Sequence, residues 1–195
     1  RSFPGAQHGS LAARLAYVFT TEIVEKCTHG IDLHTGGNHR FNHPHIRANL
    51  ADAETDRLAK AFGTPVIINA NLRDGSLRQV ATEKGIPMLL YEAGEGLRFD
   101  PLAVRAGVKG IRNVMREIGM LPPLKKQTLS IEPLEAKSSS WVRAPQSGLF
   151  RAGVKVGARV KMNDRLGAVS DAFGENETDV LAPFTGIVIG RANLP

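Results

Sequence analysis

The sequence predicts an α/β layer with a largely parallel sheet, followed by a small all-β module, and three observations carry that expectation. Short apolar runs at residues 31–33, 65–68 and 86–91 alternate with helical patterns as far as residue 118. That strand-helix-strand-helix order implies a layered sheet. Beyond Leu121 the helical periodicity stops and short β-like runs punctuated by glycine take over. Within them Ala144-Pro145-Gln146-Ser147-Gly148 recurs as Ala182-Pro183-Phe184-Thr185-Gly186, 38 residues on, which implies a pseudo-twofold β structure.

Taken in order, Ser10 can cap a helix whose apolar residues Leu11, Leu15, Val18, Phe19 and Ile23 follow at helical spacing. Cys27 continues that pattern and is expected in the core. Ile31 and Leu33 alternate with Asp32 and His34, the period of a short strand, and Gly36-Gly37 ends it in a permissive turn. Residues 39–47 are polar, and Pro44 argues against regular structure there. A helix fits Asp52 to Phe62, closed by Gly63. Pro65 to Asn69 reads as a strand buried on both faces. Ser76 caps a helix to about Lys84, and Ile86 to Tyr91 is a further buried strand running into Glu92-Ala93-Gly94-Glu95-Gly96. Asp100 followed by Pro101 starts a helix that reaches about Ile118. Residues 123–140 have the Pro, Lys and Ser content of a linker or crossover. The expected division is therefore an α/β domain over 1–122, the linker, and a β domain over 141–195.

The composition bounds function. Hydrophobic residues at 42% and charged ones at 23% are ordinary for a soluble globular chain, and no apolar run approaches a bilayer span. No membrane partner is expected. The net charge of +6 is split evenly, +3 on residues 1–135 and +3 on 136–195, with no basic run longer than Lys125-Lys126. A nucleic-acid footprint is clustered, so no nucleic-acid partner is expected, and the charge suits general solvation with an arginine-lined pocket for an acidic ligand. The single cysteine excludes an internal disulfide and points to a cytoplasmic setting. The start at Arg1 has neither an initiator Met nor a signal-peptide pattern, as expected of a piece of a longer protein.

Asp32 and His34 share one face of their strand beside a glycine turn. Two readings stand at this point: a metal or proton-transfer site, or a buried histidine beside a turn-capping aspartate. In layered α/β sheets ligands gather beyond the carboxyl ends of the strands, where both His34 and Glu92 are expected, and this favours the functional reading.

The β region, with Val156-Gly157-Ala158-Arg159-Val160 and Asp164-Arg165-Leu166-Gly167 between the repeated units, resembles the flattened barrel of biotinyl and lipoyl carrier domains. A carrier displays a modifiable lysine at a hairpin tip. The corresponding turn, Asp171 to Asp179, has none, so the module is expected to be structural.

Arg1-Ser2-Phe3-Pro4-Gly5, Ile31-Asp32-Leu33-His34-Thr35-Gly36 and Tyr91-Glu92-Ala93-Gly94-Glu95, in this order and with a barrel-like tail, resemble the succinylglutamate desuccinylase/aspartoacylase family, in its bacterial predicted-deacylase branch. The resemblance implies a zinc-carboxypeptidase-like α/β/α layer and one Zn2+ per subunit. Its ligands are a His and a Glu from an upstream His-x-x-Glu, plus a later His that matches His34. None of His8, His29, His39, His43 or His45 has Glu three residues on, so the missing pair is expected before Arg1 and the chain is expected to be truncated at both ends.

Glu92 matches the family's general acid/base; the alternative reading of the residue is a surface carboxylate opening a loop. Glu95 is expected to be solvated. Arg1 matches an arginine that holds a substrate carboxylate, a task suited to the guanidinium fork. Arg78 stands where some relatives place a substrate-contacting arginine, while the helical pattern itself favours a solvated one. Asp32 is expected to orient a ligand from behind. His39, Arg40, His43, His45 and Arg47 form a basic, substrate-side loop. The activity implied is zinc-dependent hydrolysis of a small, carboxylate-bearing N-acyl amino acid or N-acyl amine, in a possible homo-oligomer. The competing implications are a carboxypeptidase-type peptidase and a non-catalytic binding module.

Overall fold

The structure, a computed structural model, describes residues 2–37, 39–124 and 132–194. Four helices and eleven strands are formed by them: α1 (Leu11–Glu22), β1 (Gly30–Gly36), β2 (Arg40–Ala48), α2 (Ala53–Phe62), β3 (Val66–Asn69), α3 (Leu77–Glu83), β4 (Met88–Glu95), α4 (Pro101–Glu117), β5 (Leu134–Ala136), β6 (Leu149–Ala152), β7 (Arg159–Val160), β8 (Arg165–Ser170), β9 (Thr178–Leu181), β10 (Gly186–Ile187) and β11 (Gly190–Ala192). The main sheet runs β1-β4-β2-β3-β5, with β11 also pairing β2. It is mixed: β3 and β5 are parallel, whereas β11 is antiparallel to β2. Among the described residues no helix is long and apolar enough to cross a membrane.

The chain forms two compact units, the first built from Arg1–His34, Ile46–Tyr91 and Arg105–Ser138. Its helices start where the sequence places capping groups. The Ser10 hydroxyl accepts from Ala13 N at 3.2 Å, Asp52 from Thr55 N at 2.8 Å and Ser76 from Gln79 N at 3.1 Å. Gly63 closes α2 in the left-handed conformation, φ 83°. The core is made by Ile46, Leu58, Phe62, Val66, Ile67, Ile68, Leu89 and Tyr91, all buried. Phe62 and Tyr91 stack with ring centroids 5.1 Å apart. Gly110 makes that packing possible, since a Cβ there would lie 2.0 Å from the Phe62 ring.

Two expectations need correction in this unit, on Cys27 and on residues 123–140. The apolar face of α1 points outward, with Leu11 65% and Leu15 60% exposed; its buried residues are Ala16 and Thr20. Cys27 is exposed because α1 stops at Glu22 and a 3-10 turn follows, so the helical phase that would bury it is broken. The expected linker or crossover includes a strand: residues 134–136 form β5 on the edge of β3. Lys125 and Lys126 lie outside the described residues.

The second unit comprises Thr35–His45, Glu92–Val104 and Ser139–Pro195. The expected break at Pro44 does not occur, because the proline sits within β2. β11 pairs with Arg40, Phe41 and Asn42, and His43 N donates to Ile189 O at 2.8 Å, so by the alternation of the strand the N–H that Pro44 lacks is not one that would point toward β11. Likewise β4 continues through Ala93, Gly94 and Glu95 rather than opening into a loop at Glu92, with Gly94 supplying a kink at φ 70°. Asp100 caps α4 through bonds from Leu102 N at 2.8 Å and Ala103 N at 3.0 Å. Further on, β6, β8 and β9 form an antiparallel sheet and β7 pairs with β10. The two repeated Ala-Pro units thus lead into β6 and β10.

Candidate active site

Strand alternation puts Asp32 and His34 on one face of β1, and the structure brings them together: His34 Nε2 lies 3.0 Å from Asp32 Oδ2. The imidazole is half exposed. A carboxylate on Nε2 fixes the tautomer and ring orientation and leaves Nδ1 as the nitrogen able to take a proton or a cation. The bland alternative, a buried histidine, does not describe this residue. Among the described residues no three His, Cys, Asp or Glu side chains come together to hold a metal, so a zinc at His34 needs ligands from elsewhere. What the chain offers there, an imidazole backed by a carboxylate, fits such an ion.

Arg78, in the same unit, is 7% exposed, which corrects the solvated-helix reading. One guanidinium amine donates to Asn71 O at 2.6 Å, while Nη1 is buried with no hydrogen-bond partner. Burial first, and then the neighbouring charges of Arg47 and Arg73, push its pKa below the usual arginine range. A guanidinium held among other arginines, one amine unmet, is strongly disposed toward an anion. Arg1 lies outside the described residues; Phe3-Pro4-Gly5 behind it is anchored by the bonds Phe3 N to Gly75 O and Ala6 N to Ala13 O, each 3.1 Å.

In the second unit, Glu92 is partly buried on β4, and its Oε2 accepts from Asn42 Nδ2 at 2.7 Å. Glu95 is 8% exposed, not solvated, because three groups converge on it. Asn193 Nδ2 donates to Oε2 at 2.9 Å, and His39 and Arg98 lie 3.8 and 3.6 Å from Oε1.

The histidines after β1 are spread among separate duties. His39 faces Glu95, and His43 packs against Gly157, where a Cβ would lie 2.9 Å from its ring. Burial lowers the His43 pKa below the ordinary histidine range. His45 is buried, its Nδ1 donating to His43 O at 2.7 Å. Arg40 donates through Nε to Gly37 O at 2.9 Å and sits over the Trp141 ring at 5.6 Å. Sequence reasoning missed Asn42, Asn193 and Arg73, and it named Arg47 only as part of a basic loop, not as a neighbour of Arg78. Reading Pro44 as a break hid the first, because outside a strand Asn42 has no defined direction.

Three comparisons bear on this arrangement. A product-bound structure of the ectoine utilization protein EutE (DoeB) from Ruegeria pomeroyi is 25% identical, with a TM-score of 0.81 over 98% of this chain and 61% of that one. A succinylglutamate desuccinylase/aspartoacylase structure from Rhodobacter sphaeroides is 26% identical, with a TM-score of 0.83 over 98% and 61%. The N-alpha-acetyl-L-2,4-diaminobutyric acid deacetylase of Halomonas elongata is 30% identical over 183 residues, 88% of this chain and 53% of the relative, so the chain spans about half the length of that protein. Residues 1–118 match the family model described as the succinylglutamate desuccinylase/aspartoacylase catalytic domain. The chain belongs to the succinylglutamate desuccinylase/aspartoacylase family.

Proposed function

We propose that the full-length protein is a zinc-dependent, cytoplasmic deacylase that hydrolyses the amide bond of a small, carboxylate-bearing N-acyl amino acid or N-acyl amine. The observation that carries this reading is the Asp32–His34 pair at 3.0 Å, a carboxylate-backed imidazole of the kind that serves metal hydrolases. Family membership and the deacetylase relative support it.

His34, backed by Asp32, would be a zinc ligand. Bound zinc supplies Lewis acidity, polarising a carbonyl and lowering the pKa of water. Glu92 is the general acid/base: its carboxylate takes the proton of the attacking water and delivers it to the leaving amine. Arg78 holds the substrate carboxylate, supported by its buried, unmet amine, and Arg1 assists from the segment before Phe3. Residues 141–195 are a biotinyl/lipoyl-like module with a structural role, since the turn from Asp171 to Asp179 has no modifiable lysine.

The test is zinc content together with release of free amine from N-acetyl amino acids by the full-length protein. Glu92→Gln keeps zinc and loses turnover; His34→Ala loses zinc and turnover together. Normal turnover in Glu92→Gln overturns the base assignment, and full zinc occupancy in His34→Ala overturns the ligand assignment.

A further inference from the structure

A general base works only within about 2.6–3.2 Å of the proton it takes, and a glutamate reaches that point through three rotatable bonds. Something must hold the Glu92 carboxylate. Asn42 Nδ2 donates to its Oε2 at 2.7 Å, leaving Oε1 for proton transfer. A carboxylate accepts and does not donate, so it also determines which end of the amide faces it.

Asn42 is in turn seated by the carboxyl-terminal strand. It is the Cα partner of Gly190 in the β2–β11 register, and a Cβ on Gly190 would lie 2.9 Å from Asn42 Oδ1, closer than real Cβ contacts come. The backbone beside it is tied by His43 N to Ile189 O. One residue past β11, Asn193 donates to Glu95 on the same β4 strand.

We infer that Asn42 is the positioning residue for Glu92, held by the bare backbone at Gly190, so that β11 tunes the catalytic carboxylate without touching it. The inference rests on Glu92 being the base.

Asn42→Asp keeps the shape and removes the donor, setting a second carboxylate against the first. In the full-length protein assayed with N-acetyl-L-2,4-diaminobutyrate, Asn42→Asp and Asn42→Ala lower kcat about 10- to 100-fold, with KM within about twofold and an unchanged Tm. Gly190→Ala lowers kcat in the wild-type background, yet adds little in Asn42→Ala, because both changes act through one amide. Crystal structures of wild type and Asn42→Asp supply the readout that needs no activity: the Glu92 carboxylate moves by about 1 Å or more. Wild-type kcat in Asn42→Asp, additive losses in the double variant, or an unmoved carboxylate each overturn the inference. Normal turnover in Glu92→Gln sinks the base reading instead, and the carboxylate's position in Asn42→Asp still decides what Asn42 does.

Discussion

Helices α1 and α2 have similar local chemistry and opposite surroundings. Each begins at a side-chain cap, Ser10 or Asp52, and each carries an apolar stripe. The α2 stripe, Leu58, Ala59 and Phe62, is buried, and Phe62 ends in a stack with Tyr91. The α1 stripe of Leu11, Leu15 and Val18 faces outward. Periodicity therefore encodes that a helix forms and where its apolar stripe lies; it does not encode that a partner is present. Stability in the first unit accordingly concentrates between α2, α4 and the sheet.

Five substitutions can sharpen or break this contrast. Phe62→Ala removes the stacked ring and is expected to cost about 3–5 kcal/mol in urea unfolding. Gly110→Ala forces a methyl into the space of that ring and is expected to cost about 1–3 kcal/mol. Ser10→Ala and Asp52→Ala each remove a cap and are expected to cost about 1 kcal/mol, a similar amount at the two helices, because capping is local. Leu15→Ser changes the stability of this chain by less than about 0.5 kcal/mol. A cost near 2 kcal/mol for Leu15→Ser in a longer form of the protein would give α1 a partner there and dissolve the contrast.

Much of the architecture was legible in local chemistry. The caps at Ser10, Asp52, Ser76 and Asp100 mark helix starts because each side chain satisfies an otherwise unmet N–H. The alternation of Asp32 and His34 put both on one face, which their 3.0 Å approach bears out. What sequence could not give depends on residues far apart in the chain. Pro44 lies within β2, whose pairing with β11, some 150 residues later, uses the N–H of His43 and not that of residue 44. Glu95 is buried by Asn193, and Arg78 is buried beside Arg47 and Arg73; no periodicity reports such encounters. Cys27 failed for a local reason, a 3-10 turn that broke the phase.

The hairpin between β8 and β9 has a tip organised by one side chain. Asp171 Oδ1 accepts from Phe173 N at 3.0 Å and Glu175 N at 2.8 Å, and Oδ2 accepts from Asn176 Nδ2 at 2.9 Å. These bonds, that from Glu175 foremost, hold its pKa below the ordinary aspartate range. The sign follows: a carboxyl whose folded pKa is depressed contributes its ordering effect above the unfolded value and loses it as pH falls through the folded one. At neutral pH the loop is a closed clasp whose latch is a single negative charge, and acid is the key that opens it.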